Sequence, residues 1–541
     1  LVRDNVYTET SVAYTPLTGA KIQYDWNAAG VTNGLFVQDT WKIKTNLTLN
    51  YGLRWDDYGN PYSRDPNTVF GNFFHGPGQT LQQQIANGFV VAHKHALNRA
   101  ITDVFSPRAG IAWDLTGNGK WLVKGGGGIF HNWPTLANLQ EEYRGNPPGP
   151  IFPTFYGGQT PAPVFGLGTS NQKPFGYTYP TLPAKQLDAK GGLQGLQFNI
   201  GGIDPNLVSP VSYIYSAGLE RELPSNMVAS ISYSGAVGRN LLSGGGQVYN
   251  VSYGQDINEL PGDLILHNST VPTRLNTSFG QVLYTQNDRV SAYNALIVGV
   301  RGRYQRAFFD ASYTHSSSKD DTQVYPTYIN PHQYYAPSIW DIPNRFSLVW
   351  SYEVPSPNNG LGLVGRVAGG WQVSGTAILQ SGPPFTVATN AAFAPLKDST
   401  GKFIGYAPGS GDYNADGDNR DYPDVSSYAY STGRQAYLKG LFGTSHAAAL
   451  ANFPVPSTFG AEGNERYSAF RQPGFAEWDA AFIKNTKVTE AVNFQLRFEF
   501  FNLFNRANLN TVDTNLPDGN FGRATNQNVP RFLQIGGNII F

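Results

Sequence analysis

Between Val492 and Phe500 the chain alternates without a fault. Val492, Phe494, Leu496, Phe498 and Phe500 are apolar, while Asn493, Gln495, Arg497 and Glu499 can all hydrogen-bond. A strict period of two places these sets on opposite faces of a β-strand. Two folds accept such a strand. In a soluble sandwich the apolar face packs on a core; in a membrane barrel it meets lipid and the polar face lines the lumen.

The alternation recurs along the chain. Ile22, Tyr24 and Trp26 oppose Lys21, Gln23 and Asp25, and Leu47, Leu49, Tyr51, Leu53 and Trp55 oppose Thr48, Asn50, Gly52, Arg54 and Asp56. Ala109, Ile111 and Trp113 oppose Arg108, Gly110 and Asp114, and Phe309, Ala311 and Tyr313 oppose Asp310, Ser312 and Thr314. Phe346, Leu348, Trp350 and Tyr352 oppose Arg345, Ser347 and Ser351. About fifteen such segments can be counted, each near the nine to eleven residues a tilted membrane strand needs. No helical stripe of comparable strength competes with them, so the chain reads as all-β.

The connections separate sandwich from barrel. Short links at Pro16–Ala20, Lys44–Asn46, Thr116–Lys120, Leu223–Asn226, Gln305–Ala307, Pro355–Leu363 and Lys487–Glu490 alternate with long ones. The long ones are Gly59–Phe105, Asn132–Pro210, Ala236–Val290, Ser317–Pro343, Ser381–Phe475 and Arg506–Asn528, and only Asn27–Asn33 breaks the contrast. Sorting by parity is the habit of an antiparallel up-and-down barrel with tight periplasmic turns and long extracellular loops. Greek-key crossovers would not sort so, and no propeller repeat of about 40 residues is found. On this reading Tyr51, Trp55, Trp350, Phe494 and Phe498 point outward to lipid, and Arg54, Arg345, Arg497 and Glu499 point inward.

Composition agrees. Only 14% of the 541 residues are charged and 14% are aromatic, against about 25% charged in a soluble domain. Formal net charge is zero, which gives no reason to expect nucleic acid as a partner. Cysteine is absent, so disulfides and thiolate metal sites are excluded. There is no apolar run of about 18 residues to form a transmembrane helix, which leaves a barrel open. The chain starts Leu1-Val-Arg-Asp, with neither an initiator Met nor a signal peptide, and reads as a piece of a longer precursor.

The last segment, Leu533 to Phe541, is charge-free, alternates, and ends on an aromatic; it resembles the assembly signal of bacterial outer-membrane barrels. Phe36-Val-Gln-Asp-Thr-Trp-Lys-Ile-Lys-Thr-Asn-Leu-Thr-Leu-Asn-Tyr-Gly-Leu-Arg-Trp-Asp56 resembles a mid-barrel hairpin of TonB-dependent receptors. Tyr293-Asn-Ala-Leu296, Ala311-Ser-Tyr-Thr-His-Ser316, Asp341-Ile-Pro-Asn-Arg-Phe346, Gln380-Ser-Gly-Pro-Pro-Phe-Thr-Val387 and Glu499-Phe-Phe-Asn-Leu-Phe-Asn505 follow in order, similar to the Oar-like branch. The resemblance implies the C-terminal portion of a 22-stranded outer-membrane β-barrel across residues 1–541, starting near the eighth strand, with plug, TonB box and N-terminal domains lying outside the chain. It also implies outer-membrane lipid, the TonB complex acting through a plug, and an unidentified extracellular solute as partners.

The motif with most chemistry is Asp412-Tyr-Asn-Ala-Asp-Gly-Asp-Asn-Arg-Asp-Tyr-Pro-Asp424. Asp412, Asn414 and Asp416 at alternate positions, then Gly417 and Asp418, are the oxygen spacing and turn that Ca²⁺ favours, with Asp421 or Asp424 to complete the shell at about 2.3–2.6 Å. An EF-hand would carry Glu at the twelfth position, where Pro423 stands, and helices on either side. The alternative is a solvated run of Asx-turns.

Other candidates are weaker. Gly443-Thr-Ser-His-Ala447 resembles a subtilisin-type serine motif without its companions, and no catalytic residue is assigned. His93 and His95 have no third metal ligand nearby. Gly125–Gly128 lies within a strand, where no phosphate cradle forms. Arg54, Asp56, Arg108, Asp114, Lys124, Arg301, Arg303, Arg345, Arg497 and Glu499 on the lumen side either contact a plug or solute or pair with one another. Trp133, Tyr143, Phe152, Phe155 and Tyr156 either bind a ligand or pack their own loop. Two functions remain open: a TonB-dependent receptor importing a solute, or a structural or adhesion barrel presenting large loops. Neither is an enzyme.

Overall fold

The computed structural model describes residues 8–9, 13–23, 28–64, 70–133, 146–153, 155–156, 181–243, 255–322, 328, 330–357, 362–391, 393–409, 411–418, 420–489 and 491–541. Its frame is one antiparallel sheet whose long strands follow each other in chain order. They are β1 (Asn33–Lys44), β2 (Leu47–Asp57), β3 (Val104–Asp114), β4 (Trp121–His131), β5 (Val211–Leu223), β6 (Met227–Leu241) and β7 (Arg289–Tyr304). The series continues through β8 (Ala307–Asp320), β9 (Asn344–Glu353), β10 (Trp371–Gln380), β11 (Phe475–Lys487), β12 (Asn493–Phe501) and β13 (Phe532–Ile540). The path runs from β1 to β13, and these two end strands are not paired with each other.

Parity of the connections holds throughout. Residues 45–46, 115–120, 224–226, 305–306, 354–370 and 488–492 close one end, and 58–103, 132–210, 242–288, 321–343, 381–474 and 502–531 the other. The tight turns have local causes. Asp114 accepts the N–H groups of Gly117 (3.0 Å) and Gly119 (2.7 Å), and both glycines take the positive φ the turn requires. Several strands outrun the bilayer: β7 has 16 residues, where a tilted span needs about nine to eleven. The strands therefore extend into what the sequence reads as loop, as β6 does past Ala236 and β8 past Ser317.

Among the described residues the sheet has thirteen long strands and one short one, Ala336–Pro337, paired beside β8, close to the expected number of about fifteen. The alternating Lys21–Trp26 segment is one that falls away: Lys21–Ile22 pairs with Ala13–Tyr14 in a separate two-stranded ribbon, and residues 24–27 lie outside the described ones. The Pro16–Ala20 link turns that ribbon, not the wall. Alternation reports a two-faced strand without saying which sheet it joins.

Register carries face identity across the wall. One row runs Asp39, Tyr51, Ala109, Gly127, Tyr215, Gly235, Asn294 from β1 to β7, and another runs Tyr352, Val373, Phe482, Phe498, Ile535 from β9 to β13. Tyr51, Trp55, Trp350, Phe494 and Phe498 all share this apolar face, and Arg54, Arg345, Arg497 and Glu499 share the other. The apolar face is not a core. Leu35, Val37, Ile231, Val298 and Ile535 are exposed on it, and no second sheet packs its apolar face there among the described residues.

The cores lie in the loops. Phe385, Tyr413, Phe442, Phe453, Phe470 and Phe521 centre a cluster built wholly from 381–474 and 502–531. Phe73, Ile85, Ile200, Phe279 and Val282 centre another drawn from 58–103, 132–210 and 242–288, with Tyr328 joining it from 321–343. Each buried aromatic removes a large apolar area from water, so these long connections are folded modules.

One wall position shows how closely the strands fit. The Tyr215 ring lies across its partner Gly235, where a Cβ would stand 2.4 Å from the ring. An aromatic covering a cross-strand glycine is a known way of pinning register. Gly235→Val is therefore expected to push the exposed Tyr215 ring off its rotamer and destabilise the wall by about 0.5–1.5 kcal/mol, and Tyr215→Ala in the same chain to return part of that loss. A double-mutant cycle read by urea unfolding in lipid checks this; additive effects would contradict the contact.

Candidate functional site

The polar face carries the lumen-side charges, and most are partnered. Arg54 Nη2 meets Asp56 Oδ1 at 2.6 Å, and Arg497 Nη2 meets Glu499 Oε1 at 2.6 Å. Lys124 Nζ lies 2.8 Å from Glu220 Oε1, with Arg301 4.0 Å from the same carboxylate, and Arg303 lies 3.9 Å from Glu353. The Arg108 guanidinium sits over the Phe130 ring at 5.3 Å. Pairing along and across strands is thus the main use of these residues.

Two cavities lie against this face. Gly52, Gly110, Gly126 and Gly128 point their missing side chains to it, leaving a groove of about 560 Å³ bordered by Gln38, Asn50 and Arg108. The Gly125–Gly128 run thus sits inside β4, as its strand pattern requires. At the loop end of the wall, Arg345 and Gln380 join Gln472, Asn510, Thr511 and Asn528 around a cleft of about 590 Å³.

The acidic loop is buried, not solvated. Asp412, Asn414, Asp416 and Asp421 are at most 2% exposed, while Asp418 sits at the exposed rim. Asp412 accepts the N–H groups of Asp416 (3.2 Å) and Gly417 (2.8 Å), and Gly417 takes φ +95°, the sharp turn a calcium loop places at its sixth residue. Asp416 accepts from the Asp418 N–H (2.8 Å) and the Asn414 amide (2.8 Å). Asp421 Oδ1 accepts the Asn414 N–H at 3.2 Å. The loop docks on the connection 242–288, where the Gly262 N–H donates to Asn414 O (2.6 Å) and the Leu264 N–H to Ala415 O (2.9 Å).

Sequence spacing missed two members of this cluster. Glu462 approaches from fifty residues downstream, accepting the Tyr422 N–H at 2.7 Å, and its carboxylate lies within hydrogen-bonding reach of Asp421. Glu259 is buried as well, and after burial the charge of Asp416 helps to raise its pKa. Neither has a motif around it that could have announced the contact. Asp424 is used elsewhere, accepting the N–H groups of Ser457 (3.0 Å) and Asn464 (2.9 Å). Burial pushes Asp416 up to about 8, with Asp412 adding to it, and Asp412 itself up to about 6. Burial, then Glu462, raises Asp421 well above the carboxylate range. Among the described residues, no three acidic or histidine side chains stand ready-made around a single metal position.

The remaining candidates have structural employment. Ser445 caps the short helix His446–Leu450, accepting the Ala448 N–H at 3.2 Å, and His446 contacts the Leu516 carbonyl at 2.8 Å. His93 packs on Phe74 and His95 on Tyr62. Trp133 stacks on Tyr58, Phe152 is partly buried, Phe155 and Tyr156 form a two-residue strand, and Tyr143 lies outside the described residues.

Glu465 is a further buried acid. Its Oε1 accepts the Val387 N–H at 2.8 Å, its Oε2 has no donor, and burial holds its pKa well above the ordinary 4.5. A raised acid stabilises nothing at low pH, where both states are protonated, and its cost appears as pH rises above the unfolded value. Loop stability is therefore expected to fall as pH rises above the ordinary glutamate value, with part of the slope removed by Glu465→Gln. Protease resistance as pH is raised checks it; an unchanged slope would contradict the assignment.

A lipid-facing antiparallel wall, folded loops at one end and tight turns at the other define an outer-membrane β-barrel architecture. The chain belongs to the outer membrane beta barrel domain family, whose model matches residues 14–534. Its place is the bacterial outer membrane. No curated protein matches it. Among solved structures it is similar to the FrpB iron transporter of Neisseria meningitidis, at 11% identity and TM-score 0.42 over 95% of this chain and 46% of that one. It is also similar to the ferripyoverdine receptor of Pseudomonas aeruginosa (10%, 0.41, 96% and 40%) and the siderophore receptor PiuA of Acinetobacter baumannii (10%, 0.41, 95% and 43%). The chain spans less than half the length of each.

Proposed function

We propose that this chain is barrel wall from a TonB-dependent receptor of the Oar-like branch, which captures an extracellular solute with its loops and imports it when TonB acts on a plug. The observation that carries the reading is the asymmetry of the wall. Every second connection is long, and these long connections fold around buried cores of their own, while the opposite ones, apart from 354–370 with its helix Gly362–Ala368, are turns of two to six residues. The two polar-face cavities, about 560 and 590 Å³, fall in the size range of small-molecule sites, about 300–1,000 Å³. The motif series from Phe36 to Asn505 supports the branch. A plug and TonB box are assigned to sequence outside these residues, so energised transport is not expected of this segment alone.

The test is genetic. The gene is deleted in cells with and without functional TonB, and uptake of ferripyoverdine, ferric citrate and other ferric chelates, the first probes, is followed. Uptake of a solute that needs both the gene and TonB is the expected result. A deletion that abolishes cell attachment and leaves every probe's uptake unchanged would favour a structural or adhesion barrel instead.

A further inference from the structure

We propose that the acidic loop closes into a composite Ca²⁺ site when the ion binds, Asp412, Asn414, Asp416 and Asp421 being joined by Glu462 from a distant part of the same connection, although no three of these acids surround one metal position beforehand. The alternating spacing supplies the loop half, and the Gly417 turn folds it back on Asp412. The second half comes from an independent observation. Asp421 Oδ2 and Glu462 Oε1 are fully buried and meet no donor, although their carboxylates lie within hydrogen-bonding reach of each other. Two facing acceptors, both out of water, repel unless a proton or a cation lies between them.

A divalent cation suits this place better than a proton for a chemical reason. The acids are not one pair but a network: Asp412 accepts the Asp416 N–H and Asp421 the Asn414 N–H, and all three carboxylates are buried. Arg274 is bound to Asp256 at 3.0 Å, so that guanidinium neutralises a neighbour of the cluster. Hard carboxylate and amide oxygens, with no nitrogen or sulfur among them, select Ca²⁺ over transition metals. Binding would also tie the loop to the connection 242–288, since Asn414 and Ala415 already accept its backbone N–H groups. Asp418, exposed at the rim, completes the shell or leaves its place to water.

Tyr413 and Tyr422 flank the cluster and are fully buried, so terbium bound there should be sensitised by tyrosine excitation. The full chain in detergent, stripped with chelator, is titrated with Tb³⁺ and then with Ca²⁺. One saturable site displaced by Ca²⁺ at about 10⁻⁴–10⁻³ M is expected, weakened at least about tenfold by Asp416→Asn and by Glu462→Gln. The paired variant Asp421→Asn with Glu462→Gln guards against misfolding. It should resist protease in chelator at least as well as wild type, having lost two buried charges, and gain nothing from Ca²⁺, whereas wild type gains protection. Absence of a saturable site, or a site unaffected by both single substitutions, would overturn the proposal. So would equal wild-type cleavage with Ca²⁺ and with chelator, which would mark Asp421 and Glu462 as a pair sharing one proton.

Discussion

Leu348→Arg is expected to cost the wall about 2–4 kcal/mol in lipid, whereas Ser347→Arg, one residue earlier, is expected to cost far less. The two positions sit at nearly the same depth, midway along β9, and differ in face. Leu348 pairs with Ala311 and Ala377 on the apolar side; Ser347 pairs with Ser312 and Ile378 on the polar side, where a guanidinium can stay hydrated. The penalty should also depend on depth. Tyr352→Arg, on the apolar face but near the turn end of β9, should cost only about 0–1 kcal/mol, because the side chain can reach the interface. Urea titration of folding into lipid vesicles measures all three. Equal costs at Leu348 and Ser347 would mean the apolar face does not meet lipid.

That face assignment was readable in advance because a period of two is a local property. Knowing that Phe494 and Phe498 are apolar and Arg497 and Glu499 are not fixes two faces, and antiparallel register then spreads the distinction to every neighbour. Loop parity was readable for a similar reason: a turn such as Thr116–Lys120 announces itself through glycines and an Asx residue. What could not be read is anything made by contacts distant in sequence. Lys21–Trp26 alternates as well as β3 does, yet Lys21 and Ile22 pair in a small ribbon, since alternation carries no address. Glu462 and Glu259 reach the acidic loop from segments without a motif. The burial of Asp412 and Asp416 was equally hidden, because Asp, Asn and Gly in sequence suggest a wet turn. Docking on Gly262 and Leu264, together with packing of the 460–463 backbone along Tyr413 and Tyr422, removes this loop from water.

The loop cores are the largest departure from the picture of long, open extracellular connections. Phe470 shows what holds them. It is fully buried and meets Phe442 (ring centroids 4.9 Å), Tyr430 (5.4 Å), Phe453 (5.7 Å) and Phe385 (5.8 Å). Its neighbours come from well-separated points of 381–474, and Phe521, which packs on Phe442 and Phe453, brings in 502–531. These aromatics follow no helical or strand period, so no pattern marks them as a core. Truncating such a side chain loses its transfer free energy and leaves a cavity that the rings around it cannot collapse to fill. Phe470→Ala is therefore expected to destabilise this module by about 3–5 kcal/mol, comparable with the whole stability of many small domains. The wall should survive, because its strands are held by their own ladder and by lipid, not by this core. Limited proteolysis should then cut the variant within 381–474 under conditions where wild type is intact, while the heat-dependent gel mobility of the barrel stays unchanged. Loss of both together would show that wall and loop module unfold as one unit. Resistance equal to wild type would show that the aromatic cluster does not hold the loops.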